Sequence, residues 1–250
     1  MESIYNDLAT TILTNAAERK SKRYIIAIAG GPGSGKTTVA NNVVRRINAS
    51  QQNGQKQSQL AVCVSMDGFH LPRASLDALP NREEAYIRRG APWTFNVDGI
   101  VQFVENLKKW AASTPLLIPA DGQSMVAEDH FPAPTFSHTL KDPVPNSLLI
   151  PPSATIIILE GNYLLLDQPC WRNIAPQMDF RVLIRVDPDK MRERVARRHV
   201  RAGIEPNIES GFRRVDGNDA INGRMVEEMV VRGVDMEIES VEDGGEDMDG

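Results

Sequence analysis

A glycine-rich turn between an apolar run and a helix-period stretch constrains this chain more than any other feature. Gly30-Gly31-Pro32-Gly33-Ser34-Gly35-Lys36-Thr37-Thr38 fits the spacing G-x-x-x-x-G-K-[ST]. Ahead of it, Tyr24-Ile25-Ile26-Ala27-Ile28-Ala29 reads as a short buried strand; behind it, Val39, Val43 and Ile47 recur at helical spacing. Glycines let backbone N–H groups approach an anion without an intervening Cβ, and the helix that starts there turns its positive end to the same anion. The spacing therefore predicts a phosphate-cradling loop. Lys36 is expected to reach the β- and γ-phosphates, and the Thr37 hydroxyl to ligate Mg²⁺.

The rest of the composition fits a nucleotide-binding α/β protein without adding to it. The 250 residues suffice for one large domain or two small ones. Eight acids from Asp235 onward stand without a Lys or Arg, so the net charge of −5 conceals a mildly basic body. That excess suits a polyphosphate ligand and is too small to imply a nucleic-acid partner. Two cysteines, Cys63 and Cys170, form no disulfide framework. No apolar run approaches a membrane span, and Met1 to Asp7 resembles neither a signal nor a transit peptide. The expectation is a soluble, cytoplasmic protein.

Along the chain, residues 1–20 are expected to hold an amphipathic helix on Ile4, Leu8, Ile12 and Ala16. Gln51 to Gln59 is a polar loop. Leu60 to Met66 is a second buried strand, and Asp67-Gly68-Phe69-His70 follows at its carboxyl end, where ligands of open parallel sheets lie. Asp67 is thus placed to serve as general base to an acceptor hydroxyl, or simply to form a turn before glycine. Residues 71–96 read as loop with a short helix from Asn81 to Arg89, whose Arg88 and Arg89 could clamp an anion. Asp98 is expected to cap a helix bearing Ile100, Phe103, Val104 and Leu107. Residues 113–153 carry many prolines and no clear periodicity, and read as a long loop covering the acceptor. His70 and His138 are the histidines expected there.

Thr155 to Leu159 is a third buried strand ending in Glu160, an acid placed to orient Mg²⁺, and Phe180 to Val186 is a fourth. Asp187-Pro188 opens a helix carrying Arg192, Arg194, Arg197, Arg198 and Arg201 and closed by Gly203. It reads either as a solvated basic helix or as a lid whose arginines neutralise a transferring phosphoryl group. Asp216-Gly217-Asn218-Asp219 is expected to start a further helix, running through Val226 and Val230. Asp235 to Glu239 alternates like an edge strand, and the acidic residues 241–250 read as disordered.

The ordered set of P-loop, Asp67-Gly68-Phe69-His70, Arg89-Gly90-Ala91-Pro92-Trp93-Thr94-Phe95, Glu160-Gly161-Asn162-Tyr163-Leu164-Leu165 and an Arg-rich helix resembles the phosphoribulokinase/uridine kinase superfamily, which includes bacterial pantothenate kinase. The chain is most similar to its uridine-kinase-like and fructose-transport-kinase-like branch, over about residues 20–240. The resemblance implies a three-layer α/β/α P-loop sandwich with a parallel sheet over residues 21–240, an insert at about 70–153 and a lid at about 187–215. It implies ATP and Mg²⁺ as cofactors and phosphorylation of a hydroxyl on a small metabolite; the weak basic excess and the short apolar runs lead to the expectation of no nucleic-acid or membrane partner. Asp67 then matches the catalytic base, Lys36 a catalytic cation, and Glu160 the carboxylate at the metal or acceptor. Arg194, Arg198 and Arg201 match the lid, and Asn218 a region near the adenine. His70, Arg89, Asn96, His138 and Tyr163 join Asp67 on the acceptor side. The branch usually carries Asp where this chain has Asn96 and Ser137, which leaves the acceptor open among nucleosides, sugars and pantothenate-like acids. The same P-loop and Glu160 would also serve an ATPase that couples hydrolysis to a partner. A GTPase lacks support, since no Asn-Lys-x-Asp segment is present.

Overall fold

A computed structural model describes residues 1–19, 21–50, 60–116 and 129–241. Four strongly apolar runs and the alternating Met236–Glu239 become a five-stranded, wholly parallel sheet. Its strands are β1 (Tyr24–Gly30), β2 (Ala61–Ser65), β5 (Ile156–Gly161), β6 (Phe180–Arg185) and β7 (Met236–Glu239), in the order β2-β5-β1-β6-β7. Side chains alternate across β1, so Ile25, Ala27 and Ala29 enter one core while Tyr24, Ile26 and Ile28 enter another. The second core is closed by α1 (Glu2–Glu18) and α2 (Lys36–Ala49), through Tyr5, Leu8 and Ile12 and through Val39, Val43 and Ile47. The first is closed by α5 (Val97–Ser113) and by residues Tyr163 to Met178. Helices on both faces of a parallel sheet make the three-layer sandwich, and both faces must be covered because every residue of β1 and β5 is buried. Among the described residues no helix is long and apolar enough to cross a membrane.

Four regions differ from the sequence expectation. Residues 131–150 are not loop: β3 (Phe131–Ser137) and β4 (Asp142–Ile150) pair as an antiparallel ribbon with a register shift between Ala133 and Thr135. Pro132, Pro134, Pro143 and Pro145 hide this ribbon from a strand reading, since proline is tolerated only where no ladder N–H is required. Residues 71–96 hold a helix that was not expected, α3 (Arg73–Asp77), besides the expected short one, α4 (Arg82–Ile87). The cap of α5 is Asn96, whose side chain accepts the Gly99 N–H at 3.0 Å; Asp98 lies within the first turn. Finally, Asp216 to Asp219 precedes the expected helix through Val226 but is itself helical. It belongs to a π-helical turn, Val215–Asp219, running on from α7 (Ile208–Arg214) into α8 (Ala220–Glu228). The acids are held by another element: Arg192 grips Asp216 at 2.6 and 2.8 Å, and His199 meets Asp219 at 3.0 Å. Val230 lies beyond the end of α8 and bridges to Leu166.

The helix opened by Asp187-Pro188 forms as expected. It is α6 (Pro188–Arg201), with the Asp187 carboxylate accepting the N–H groups of Asp189 and Lys190 and Gly203 in the left-handed region at φ 65°. Met191, Val195, Ala196 and His199 are its buried stripe. The polar loop at 51–59 and the acidic end from 242 onward lie outside the described residues.

One buried cation ties the layers together. Arg23, 3% exposed, donates to the carbonyls of Ala154, Ala111, Thr114, Pro115 and Pro152, and its guanidinium lies 4.2 Å from the Trp110 ring centroid. All five of its N–H groups are therefore used. The Ala111 carbonyl in the last turn of α5, with those of Thr114 and Pro115 just beyond, supplies the negative helix end that a buried cation needs.

Candidate active site

The site is assembled at the carboxyl ends of β2, β5 and β1, where chain order and sheet order diverge. Strand register brings Ser65, Glu160 and Ile28 side by side, so the acid closing β5 is carried next to the turn that follows β1. In that turn Gly33 and Gly35 take φ 71° and 81°, values costly for any side chain. Contacts allow no more room than the dihedrals do. A Cβ on Gly30 would stand 2.7 Å from the Ile184 carbonyl oxygen, and one on Gly33 would stand 2.8 Å from a Val195 methyl of α6. Gly31 faces Gly223 of α8 at 3.2 Å by the same measure, and Pro32 is buried. A glycine inside a helix often marks such a close approach, and Gly223 is a site residue that reading the sequence missed. Ser34 is fully buried with its hydroxyl unpartnered, and Lys36 and Thr38 are half-buried.

Thr37 is exposed, and its hydroxyl donates to Glu160 Oε2 at 3.1 Å. Glu160 is only 2% exposed. Burial raises its pKa and nearby Asp67 raises it further, while Lys36 and hydrogen bonds from Ser65 and Thr37 work against the rise. Asp67 sits in the short 3₁₀ turn after β2, its backbone N–H donating to Ser65 Oγ and its side chain 52% exposed. The result is one buried and one accessible carboxylate at adjacent strand ends, beside a glycine-rich turn and a lysine.

His70 follows Asp67 by one turn. Its Nδ1 is 2.9 Å from the Asp67 carbonyl oxygen, so the ring carries its proton on Nδ1 and presents Nε2 as an acceptor. Burial lowers its pKa, more strongly than the neighbouring Asp67 raises it. The ring lies between Phe95 at 4.0 Å and Phe136 at 5.0 Å, and exposed His138 extends the row by an edge contact to Phe136 at 5.5 Å. The β3–β4 ribbon contributes this wall: Gly68 packs so closely that a Cβ there would stand 2.5 Å from the Pro134 carbonyl oxygen.

Three expected acceptor or nucleotide contacts are used inside the fold instead. Tyr163 is fully buried and donates its hydroxyl to the Gly90 carbonyl at 2.6 Å, which leaves it nothing to offer an acceptor. Exposed Asn96 spends its side-chain oxygen on the α5 cap. Asn218, 4% exposed, donates to the Arg89 carbonyl at 3.2 Å and accepts from Asn222. Of the arginines expected to form a lid, Arg194 alone meets the glycine-rich turn. Its Nη1 donates to the Gly33 carbonyl at 3.2 Å and to Ser240 Oγ at 2.8 Å, whereas Arg198 and Arg201 point into solvent-exposed positions and Arg197 pairs with Glu193. Ser240, just beyond β7, has no signal in the sequence, because a lone serine after an edge strand is ordinary.

The fold is the α/β fold of the P-loop kinases. No family model matches the chain. It is 34% identical over 213 residues to a Schizosaccharomyces pombe protein carrying the provisional name uridine kinase C227.14, covering 85% of this chain and 82% of that one. It is also 34% identical over 206 residues to the ATP-dependent kinase YFH7 of Kluyveromyces lactis, spanning 74% of this chain and 58% of the relative. Among solved structures, one described as a fructose transport system kinase from Silicibacter superposes with a TM-score of 0.72 at 25% identity, over 93% of this chain and 98% of its own. The chain belongs to the uridine-kinase-like family of P-loop kinases.

Proposed function

We propose that this protein transfers the γ-phosphoryl group of Mg·ATP to a hydroxyl of a small metabolite. The observation that carries this reading is the arrangement of two unlike carboxylates. Glu160 is buried and hydrogen-bonded to the P-loop hydroxyl of Thr37; Asp67 is accessible at the next strand end. Hydrolysis could use the second to orient a water; the aromatic row of Phe95, His70 and Phe136 beside it favours an acceptor hydroxyl. A second, accessible carboxylate facing the same turn suits a base for an acceptor hydroxyl.

The donor set fits the nucleotide and its metal. Among the described residues no cluster of three or more His, Cys, Asp or Glu is placed to hold a metal. Mg²⁺ that arrives on phosphates needs only one or two protein oxygens, and Thr37 and Glu160 offer them. The metal would supply charge neutralisation at the phosphates. The unpartnered Ser34 hydroxyl and the glycines at positive φ form the cradle of the turn, with Lys36 as its cation. Arg194, already on the Gly33 carbonyl, would be the first lid arginine to meet the phosphates, while Arg198 and Arg201 would need the lid to close. The aromatic row of Phe95, His70 and Phe136 would wall the acceptor and exclude water.

Asp67→Asn tests the assignment of the base. It should leave the Kd for ATP within about two-fold and lower kcat by about 100- to 10,000-fold, the range for a lost general base. Normal turnover in this variant would remove Asp67 from the chemistry.

A further inference from the structure

Beside the acceptor wall, the charge of Arg89 is only partly met within the fold. Its side chain is 16% exposed, yet Nε and Nη2 are buried and without a hydrogen-bond partner. The nearest carboxylate, Asp142 on β4, stands 3.6 Å from Nη2, beyond hydrogen-bond reach, and its Oδ1 already accepts the Arg73 backbone N–H at 2.8 Å. The guanidinium lies 5.5 Å from the Phe136 ring centroid, on the same ring that flanks His70, and its charge is among those acting on His70. Burial without full pairing lowers the Arg89 pKa.

The surrounding backbone is fixed, so the guanidinium is presented rather than merely tolerated. Arg88 donates to the Gly217 carbonyl at 2.8 Å and to Asn222 Oδ1 at 3.2 Å. Asn218 holds the Arg89 carbonyl, and Tyr163 holds that of Gly90. Three side chains thus clamp three consecutive residues and leave the forked donor of the middle one under-bonded. An under-bonded buried cation is costly to keep, and a planar fork matches a carboxylate or phosphate.

Building on the kinase reading, we propose that the acceptor carries an anionic group besides its hydroxyl, and that Arg89 receives this anion while Asp67 faces the hydroxyl. Arg89 is then a specificity-determining residue, and Asp142 is a weak internal competitor for the same fork.

The test uses matched pairs on the full chain. Glycerate, pantothenate and fructose 6-phosphate are set against glyceramide, pantothenol and fructose, reading the shift in Tm without nucleotide and ADP release with Mg·ATP. At least one anion should raise Tm where its neutral partner does not, and the pair that responds distinguishes carboxylate from phosphate. Arg89→Met should weaken that anion roughly 10- to 100-fold, abolishing the preference over its neutral partner. Should that variant fail to fold, Arg89→Lys, which keeps the charge and loses the fork, should still cost about ten-fold. Asp142→Asn should tighten the anion several-fold, because it retains the oxygen that Arg73 uses and removes the competing charge. Neutral compounds binding as well as anions, no anion raising Tm above its partner, or a preference that survives at Arg89 would overturn the proposal. An Arg89-dependent preference with no ADP release from any compound would leave the anion site standing and sink the kinase reading.

Discussion

Single side chains decide both the stability and the chemistry of this protein, and they do so in opposite directions. Glu160 is a buried acid whose pKa is raised chiefly by desolvation. Its folded form binds a proton more tightly than the unfolded chain does. The associated stability is therefore complete below the ordinary glutamate pKa and is lost as pH rises through the raised value. Above that raised value the charge is a net cost kept for function. Glu160→Gln should raise Tm there, flatten its pH dependence and cut turnover by about 100-fold or more; a lower Tm would show that the carboxylate stabilises the resting fold. Arg23 is the contrary case. Its five donors all end on carbonyls, so Arg23→Lys should cost about 2–4 kcal/mol in urea unfolding by leaving carbonyls unmet, with ATP affinity unchanged. The two residues also differ in how legible they were. Glu160 ends an apolar strand and reads as functional from its neighbours alone. Arg23 looks like an ordinary charge before a strand, because its partners lie 88 to 131 residues away and are backbone atoms.

Elements show the same division between local and distant causes. The strand, turn and helix around Gly30 to Thr38 are legible because every signal for them lies within a few residues. Helix α6 is legible from its Asp187-Pro188 start and Gly203 stop. The β3–β4 ribbon was not, since four prolines mask its period and only tertiary packing on the Asp67 turn selects it. The π turn at Val215–Asp219 was hidden likewise: its acids look like a cap and are in fact held by Arg192 and His199 of α6. Asn96 was legible as an acceptor-side position only by resemblance, and its use as the α5 cap displaced the reading of Asp98 by two residues. The ribbon's grip on the site makes an element-scale prediction. Gly68→Ala sets a methyl 2.5 Å from the Pro134 carbonyl oxygen and must push β3 away from the turn bearing Asp67 and His70. It should cost about 1–3 kcal/mol in stability. Turnover should fall more than ten-fold while ATP affinity holds, and unchanged turnover would mean that the ribbon does not position the base.

At the scale of the whole molecule, a parallel sheet buries both faces and leaves only its carboxyl edge for chemistry. The P-loop, Asp67 and Glu160 all open on that edge, and the α6–α8 assembly and the β3–β4 ribbon approach it from different elements. Gly31 and Gly33 meet α8 and α6, and Gly68 meets the ribbon, so glycine contacts join the fixed edge to both covers. The central claim is that this edge serves transfer to a hydroxyl compound rather than hydrolysis alone. The most direct test is ADP formation from Mg·ATP with and without a panel of nucleosides, sugars and hydroxy acids, alongside Lys36→Ala. The account predicts that ADP release rises at least ten-fold with one class of hydroxyl compound and is lost in the Lys36→Ala protein. Steady ADP release that is indifferent to every compound would contradict it.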